Sequence, residues 1–217
     1  MPDGTTLAVF AVAAFALIIV PGPNVLYIVT RGVSGGRLVG LVSVAGVAAG
    51  VVVHVLAAAL GLSALIASSA LALGTLKYCG AIYLAYIGIR TLLRHDEAVV
   101  AGPVEERRLG RAFVQGALTN ILNPKVTLFF LAFLPQFIDP ARGNPTTQIL
   151  VLGLVFFAIG LCSDSVYAVA AGSLGAWLQT RHAFWRRQRY VTGGVYLALA
   201  AVAAFAHVER VPKGQAR

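Results

Sequence analysis

Six times along this chain, about twenty residues pass with almost no charge. In a helix that rises ~1.5 Å per residue, such a run crosses the ~30 Å hydrocarbon core of a bilayer. The runs lie at approximately Leu7–Thr30, Leu38–Leu60, Leu71–Leu93, Phe113–Phe137, Gln148–Gly172 and Tyr190–His207. They predict an all-α polytopic membrane protein with six transmembrane helices. Composition agrees: of 217 residues, 59% are hydrophobic and only 12% are charged, against about 25% charged in a soluble domain. A chain with so little polar surface has lipid as its main solvent. Met1 to Thr6 carries no basic residue and the run that follows is too long for a signal h-region, so it reads as the first helix.

The formal net charge of +9 does not point to nucleic acid. The basic residues form no stripe interleaved with aromatics; they sit in short clusters between the apolar runs, as in proteins oriented by the positive-inside rule. The first, third and fifth connections hold Arg31 and Arg37, then Arg90, Arg94, Arg107, Arg108 and Arg111, then Arg181, Arg186, Arg187 and Arg189. The second and fourth hold at most Lys77 and Arg142. The odd connections are therefore expected in the cytoplasm and both termini outside, against the minority vote of Arg210, Lys213 and Arg217. Trp177, Phe184, Trp185 and Tyr190 flank the last cluster and read as an interfacial belt.

Connections are short, and the longest, His95 to Gly110, is polar. The expected organisation is a single transmembrane domain, 1–217, with halves at about 1–94 and 111–208 around a cytoplasmic loop at about 95–110. The halves echo each other. Ala16-Leu17 precedes Pro23 and Val25 at the spacing with which Ala117-Leu118 precedes Pro124 and Val126, and "GAIYLA" (Gly80–Ala85) echoes "GGVYLA" (Gly193–Ala198). Three helices per half invert the second half, which gives the inverted 3+3 repeat common among secondary transporters.

Two of the runs are interrupted. Pro21 and Pro23 flank Gly22 and precede Asn24; in the fourth helix Pro124 lies between Asn123 and Lys125, with Asn120 a turn earlier. Proline removes a backbone donor and clashes with the preceding turn. Pro21 frees the carbonyl of Leu17, Pro23 that of Ile19, and Pro124 that of Asn120, while the amides of Asn24, Val25 and Leu26 lose helical partners. Alone, either interruption reads equally as a simple proline kink, which membrane helices tolerate. Paired interruptions in corresponding segments of two halves point to a transporter site, because irregular backbone at membrane depth survives only against protein or a watery cavity. Both prolines fall near mid-membrane, Pro21 roughly 15 Å from Arg31 and Pro124 roughly 20 Å from Arg111. The candidate substrate-binding residues are thus Pro21, Gly22, Pro23, Asn24, Asn120, Asn123, Pro124 and Lys125.

Lys125 is a cation near the midplane, and Asp164 is the only acidic residue inside the six spans. Each costs about 3 kcal/mol to insert, so pairing is the economical arrangement. The pair is either a fixed structural bridge or functional, with Asp164 taking up and releasing a proton or Lys125 meeting a substrate carboxylate. Ser163, Ser165 and Tyr167 lie within reach of the same site. His54 falls near the position corresponding to Asp164 and is either a proton relay or a neutral histidine hydrogen-bonded in the bundle. Gly46 and Gly50 suit close helix packing. Cys79 and Cys162 read as buried small hydrophobes; no Cys/His cluster suggests a metal, and nothing calls for a cofactor.

Pro21-Gly22-Pro23-Asn24, Asn123-Pro124-Lys125 running into "LFFLAFLPQF" (Leu128–Phe137), Asp164, and "KYCGAIYLAYIGIR" (Lys77–Arg90) together resemble the LysE/RhtB family of bacterial amino-acid exporters. The sixth helix, "GGVYLALAAVAAF", is a weaker match. The resemblance implies a secondary transporter that exports amino acids or related metabolites, homoserine or threonine among them, across the inner membrane under the proton gradient. A zwitterionic site fits it: a half-helix amino terminus for a carboxylate, free carbonyls and amides for an ammonium. Its partners are then the substrate, protons and the bilayer, with homo-oligomerisation left open. The rival readings are a metal-ion exporter of similar architecture, which calls for more buried ligands than this chain has, and a membrane-embedded enzyme, which calls for an activated nucleophile.

Overall fold

The computed structural model describes residues 1–62, 75, 78, 81–82, 85–86, 89–90, 92–93, 109–179, 190, 194, 197–198 and 200–201. Among these residues every regular element is a helix. The long ones are α1 (Gly4–Ile19), α2 (Pro23–Ala57), α3 (Leu109–Ile121), the short α4 (Pro124–Leu128) and α5 (Pro145–Gln179). α2 runs into a π-helical turn, Ala58–Leu62; α4 runs into another, Phe129–Phe133, then into a 3₁₀ turn, Leu134–Phe137. The expected loop at 95–110 and the spans at 71–93 and 190–207 lie largely outside the described residues, as do the side chains of Trp177, Phe184 and Trp185. The described positions of those two spans are helical, and Ala81 and Ala200 are buried in the main apolar cluster.

α1 opens on Asp3, whose carboxylate accepts the Thr6 N–H at 2.7 Å, an N-cap. It ends where the residue before a proline is pushed out of the helical region: Val20 is extended (φ −72°, ψ 117°) ahead of Pro21. Gly22 is extended too (φ −131°, ψ −166°) ahead of Pro23, which then occupies the first turn of α2, where a missing N–H costs nothing. The second break follows the same logic. Asn123 is extended (φ −79°, ψ 108°) ahead of Pro124 and caps α4 by accepting the Lys125 N–H at 3.0 Å. α3 and the Pro124–Phe137 segment meet at a 43° bend.

α2 is not one straight rod. Gly36 sits at φ 81°, ψ −179°, a left-handed conformation that glycine alone adopts without strain. A Cβ built on Gly40 would lie 3.2 Å from the Gly32 Cα, whereas eight residues of continuous helix would separate the two by ~12 Å. The chain therefore doubles back at Gly36, and arms 23–35 and 37–57 pack side by side. The polar connection expected between the first two apolar runs is reduced to this single turn. α1 alone, at 16 residues, reaches only ~24 Å; α1, the break and the first arm together form one interrupted span with the break near its middle.

Close packing rests on small residues. A Cβ on Gly46 would come 2.1 Å from the Phe113 carbonyl oxygen, one on Gly116 2.6 Å from that of Ser43, and one on Gly50 2.6 Å from the Asn120 Cβ. Gly46 and Gly50 thus let the second arm of α2 lie directly on α3. Gly32 and Gly40 do the same against Ala168 and Ala171 of α5. Cys162 differs from expectation: it is exposed on α5 rather than buried, on a helix face where an apolar thiol needs no core. Cys79 lies outside the described residues.

The two ends of the bundle differ. At one, the amino terminus, Asp3, Asp139 and Arg142 form a polar cluster: Arg142 donates to both carboxylates, and the terminal ammonium donates to the Arg142 carbonyl. At the other, Arg31 donates to Gln115, and Arg37 donates to Ser173 at 2.8 Å.

Candidate site at the crossing of two broken helices

The two breaks meet. The Asn123 side-chain amide donates to the Asn24 side-chain oxygen at 2.9 Å, and the Lys125 Nζ donates to the Val20 carbonyl at 2.6 Å. Each contact runs from the second break to the first. Around this crossing is a small cavity lined by Leu17, Ile18, Gly22, Asn24 and Val25 from the first interrupted span, Val51 from α2, Asn120, Asn123, Lys125 and Val126 from the second, and Phe156, Gly160 and Asp164 from α5. Asn120, Asn123, Lys125 and Asp164 are all buried. Lys125 and Asp164 share this cavity and feel each other's charge; in a low-dielectric interior such opposite charges interact more strongly than in water.

Two of the three freed carbonyls, those of Ile19 and Asn120, are held by side chains from other helices. The Ile19 carbonyl, released by Pro23, accepts the Tyr167 hydroxyl of α5 at 2.8 Å. The Asn120 carbonyl, released by Pro124, accepts the Asn123 N–H at 2.8 Å and lies 3.1 Å from the His54 Nε2. Ile19 and Asn120 correspond under the offset that matches Pro23 to Pro124. Each is thus held by a polar aromatic side chain from a helix far away in sequence, Tyr167 of α5 and His54 of α2. Of the amides expected to be orphaned, Leu26 bonds the Gly22 carbonyl at 2.9 Å.

The sequence candidates therefore divide by role. Gly22, Asn24, Asn120, Asn123, Lys125 and Asp164 line the cavity together; Pro21, Pro23 and Pro124 shape the backbone around it without lining it. His54 is not in the lining: it stacks on Phe130, with ring centroids 5.8 Å apart, and holds the break. Tyr167 holds the other break, a role that its sequence neighbourhood alone does not reveal, because the partner is a backbone carbonyl about 150 residues away in the chain.

Toward the end that carries the amino terminus, the cavity is covered by phenylalanines. Phe156 of its wall packs on Phe129 and Phe130 with centroids 5.0 and 5.2 Å apart, Phe129 on Phe133 at 5.1 Å, and Phe10 on Phe129 and Phe137 at 5.6 and 5.2 Å. The cavity holds about 30 Å³, room for one or two waters. A free amino acid is larger, so loading one requires the walls to part.

Comparison with known proteins places this architecture. The model of the LysE type translocators matches residues 15–208. A membrane protein of Pseudomonas aeruginosa is 33% identical over 82% of each chain. A homoserine/homoserine lactone efflux protein of Salmonella typhimurium is 29% identical over 73% of this chain and 77% of its own. A leucine efflux protein of Enterobacter sp. is 28% identical over 91% and 94%. No solved structure matches. With both interrupted helices, the shared polar cavity and the aspartate of α5 inside the matched region, the chain belongs to the LysE type translocator family: it is a multi-pass membrane transporter, not an enzyme.

Proposed function

We propose that this protein exports a small amino acid or a close derivative across the bacterial inner membrane, coupled to protons, and that the substrate binds where the two breaks cross. The observation that carries the reading is the convergence of Asn24, Asn120, Asn123, Lys125 and Asp164 on one cavity between two interrupted helices. Such a site offers donors and acceptors to both ends of a zwitterion at a depth where lipid offers none. Two of the relatives are named for the efflux of homoserine or its lactone and of leucine, which supports an amino-acid-like substrate.

In this mechanism the substrate exchanges places with contacts internal to the protein. The Lys125 ammonium leaves the Val20 carbonyl for the substrate carboxylate, and the amides and carbonyls of the breaks take the substrate ammonium. Asp164 takes up and releases the coupling proton, so that its charge, and its hold on Lys125, change once per cycle. The phenylalanine layer is the barrier on the amino-terminal side, and both termini face the periplasm. The reciprocal holding of the Ile19 and Asn120 carbonyls supports an inverted 3+3 repeat of six helices, with halves at about 1–94 and 111–208.

The test is counterflow in proteoliposomes with a panel of amino acids and homoserine lactone. Accelerated exchange of at least one of them, dependent on a pH gradient and uncoupled from it by Asp164→Asn, is expected. Uptake of none of the panel by a folded protein would overturn the substrate class; unchanged coupling in Asp164→Asn would remove the proton role and leave a structural pair.

A further inference from the structure

Asn120 is fully buried and lines the cavity, and neither its side-chain oxygen nor its side-chain nitrogen has a hydrogen-bond partner among the described residues. Its backbone carbonyl, by contrast, is held by Asn123 and His54. The neighbouring amides are occupied as well: Asn24 and Asn123 bond each other. Gly50 fixes the arrangement from behind. A Cβ there would come 2.6 Å from the Asn120 Cβ, so the asparagine sits against bare backbone. A buried amide with both functions unmade is unfavourable, and a ligand that supplied both partners would relieve it.

We propose that Asn120 is the specificity-determining residue of the export site, and that it selects a neutral amino acid whose side chain bears a hydroxyl. The proposal rests on the amino-acid export reading above. A carboxamide presents a donor and an acceptor side by side. A hydroxyl, itself donor and acceptor, satisfies both. A cationic side chain satisfies only the oxygen, an anionic one only the N–H, and an aliphatic one neither. A second carboxamide also satisfies both, but it is the bulkier group to seat in a cavity of about 30 Å³ whose walls must part for any substrate. Sites built to hydrogen-bond a substrate hydroxyl discriminate strongly against the analogue that lacks it, because the site's own polar groups are then left unpaired.

The experiment compares isosteric pairs in proteoliposome counterflow: homoserine against norvaline, threonine against valine, with glutamine as the carboxamide arm. Wild-type protein is expected to prefer the hydroxyl member of each pair by on the order of tenfold or more. Asn120→Leu, which keeps much of the volume, and Asn120→Ala should bring both ratios to one or below, the loss falling on the hydroxyl member of each pair. Both variants lose an unpaired buried amide, so their thermal stability should be retained or raised. Ratios unchanged in the variants, or no preference in the wild type, would overturn the role of Asn120 and leave its amide to water alone. A preference for glutamine over both hydroxyl substrates would overturn the hydroxyl assignment. Wild-type protein that carries none of these amino acids would overturn the export reading itself, a result distinct from equal transport of both members of each pair.

Discussion

Lys125 is the residue on which the two interrupted spans depend together. Its backbone N–H bonds the Asn123 cap, its ammonium bonds the Val20 carbonyl across the crossing, and its charge faces Asp164 in the shared cavity. Removing one charge of a buried pair leaves the other uncompensated, typically at about 3–5 kcal/mol, whereas removing both can be nearly neutral. Lys125→Met is therefore expected to lower thermal stability sharply, and Lys125→Met combined with Asp164→Asn to recover part of it, with a coupling of at least roughly 0.5–3 kcal/mol. Neither variant should regain export. Thermal unfolding of the two singles and the double in detergent measures the coupling; strictly additive shifts would mean that the two side chains act independently. Tyr167→Phe is a milder case. It removes one hydroxyl donor from the Ile19 carbonyl, so about 1 kcal/mol of stability should be lost.

At the scale of elements, the breaks are written in the chain by its prolines. Pro21, Pro23 and Pro124 were sufficient to place both interruptions, because the constraint is local: a missing N–H and a restricted preceding residue. The extended backbones of Val20, Gly22 and Asn123 follow directly. What closes the breaks was not legible, since Tyr167 and His54 reach carbonyls far away in sequence and nothing in their own segments marks that contact. The turn at Gly36 falls inside the connection expected between Thr30 and Leu38, but which of the adjacent Gly35 and Gly36 takes the positive φ was not legible, because both residues allow it. The local origin of the first break makes a sharp test. Replacing Pro21, Gly22 and Pro23 together by alanine restores the N–H groups and a good helix former, so 4–35 should run as continuous helix. Membrane abundance should be retained and helical content rise slightly, while export is lost, because the donors and acceptors of the crossing are consumed by the helix. Normal efflux from the well-folded triple variant would show that the breaks only shape packing. Gly46→Leu should act in the opposite manner, preventing assembly, since even a Cβ would strike the Phe113 carbonyl.

At the scale of the whole molecule, the exposed ionic groups of the described residues outside the site lie at two ends, and the arginine tally of the sequence is an expectation about which end faces the cytoplasm. The structure adds that the amino terminus and the 139–142 turn share one end, joined by Arg142 and the carboxylates of Asp3 and Asp139, while Arg31 and Arg37 share the other. The Asp3 carboxyl is held down to about 2, first by hydrogen bonds from Thr6 and then by Arg142. A depressed carboxylate supplies its interaction above its unfolded value and loses it only as pH falls through the folded one, so the Asp3 carboxylate stays charged through pH 5–8. Asp3→Asn should accordingly leave the pH profile of export unchanged in that range; a shifted profile would locate part of the coupling at this end. Orientation itself can be read with single cysteines in a background lacking Cys79 and Cys162. Both Ser34, next to the Gly36 turn, and Arg142 are exposed, at opposite ends. If the arginine-rich end is cytoplasmic, a membrane-impermeant thiol reagent added to cells with a permeabilised outer membrane should modify Arg142→Cys at once and spare Ser34→Cys. Ser34→Cys should react only after the inner membrane is opened. The opposite order would invert the molecule: the phenylalanine layer would then close the cavity toward the cytoplasm, and the direction assigned to each gate would have to be exchanged.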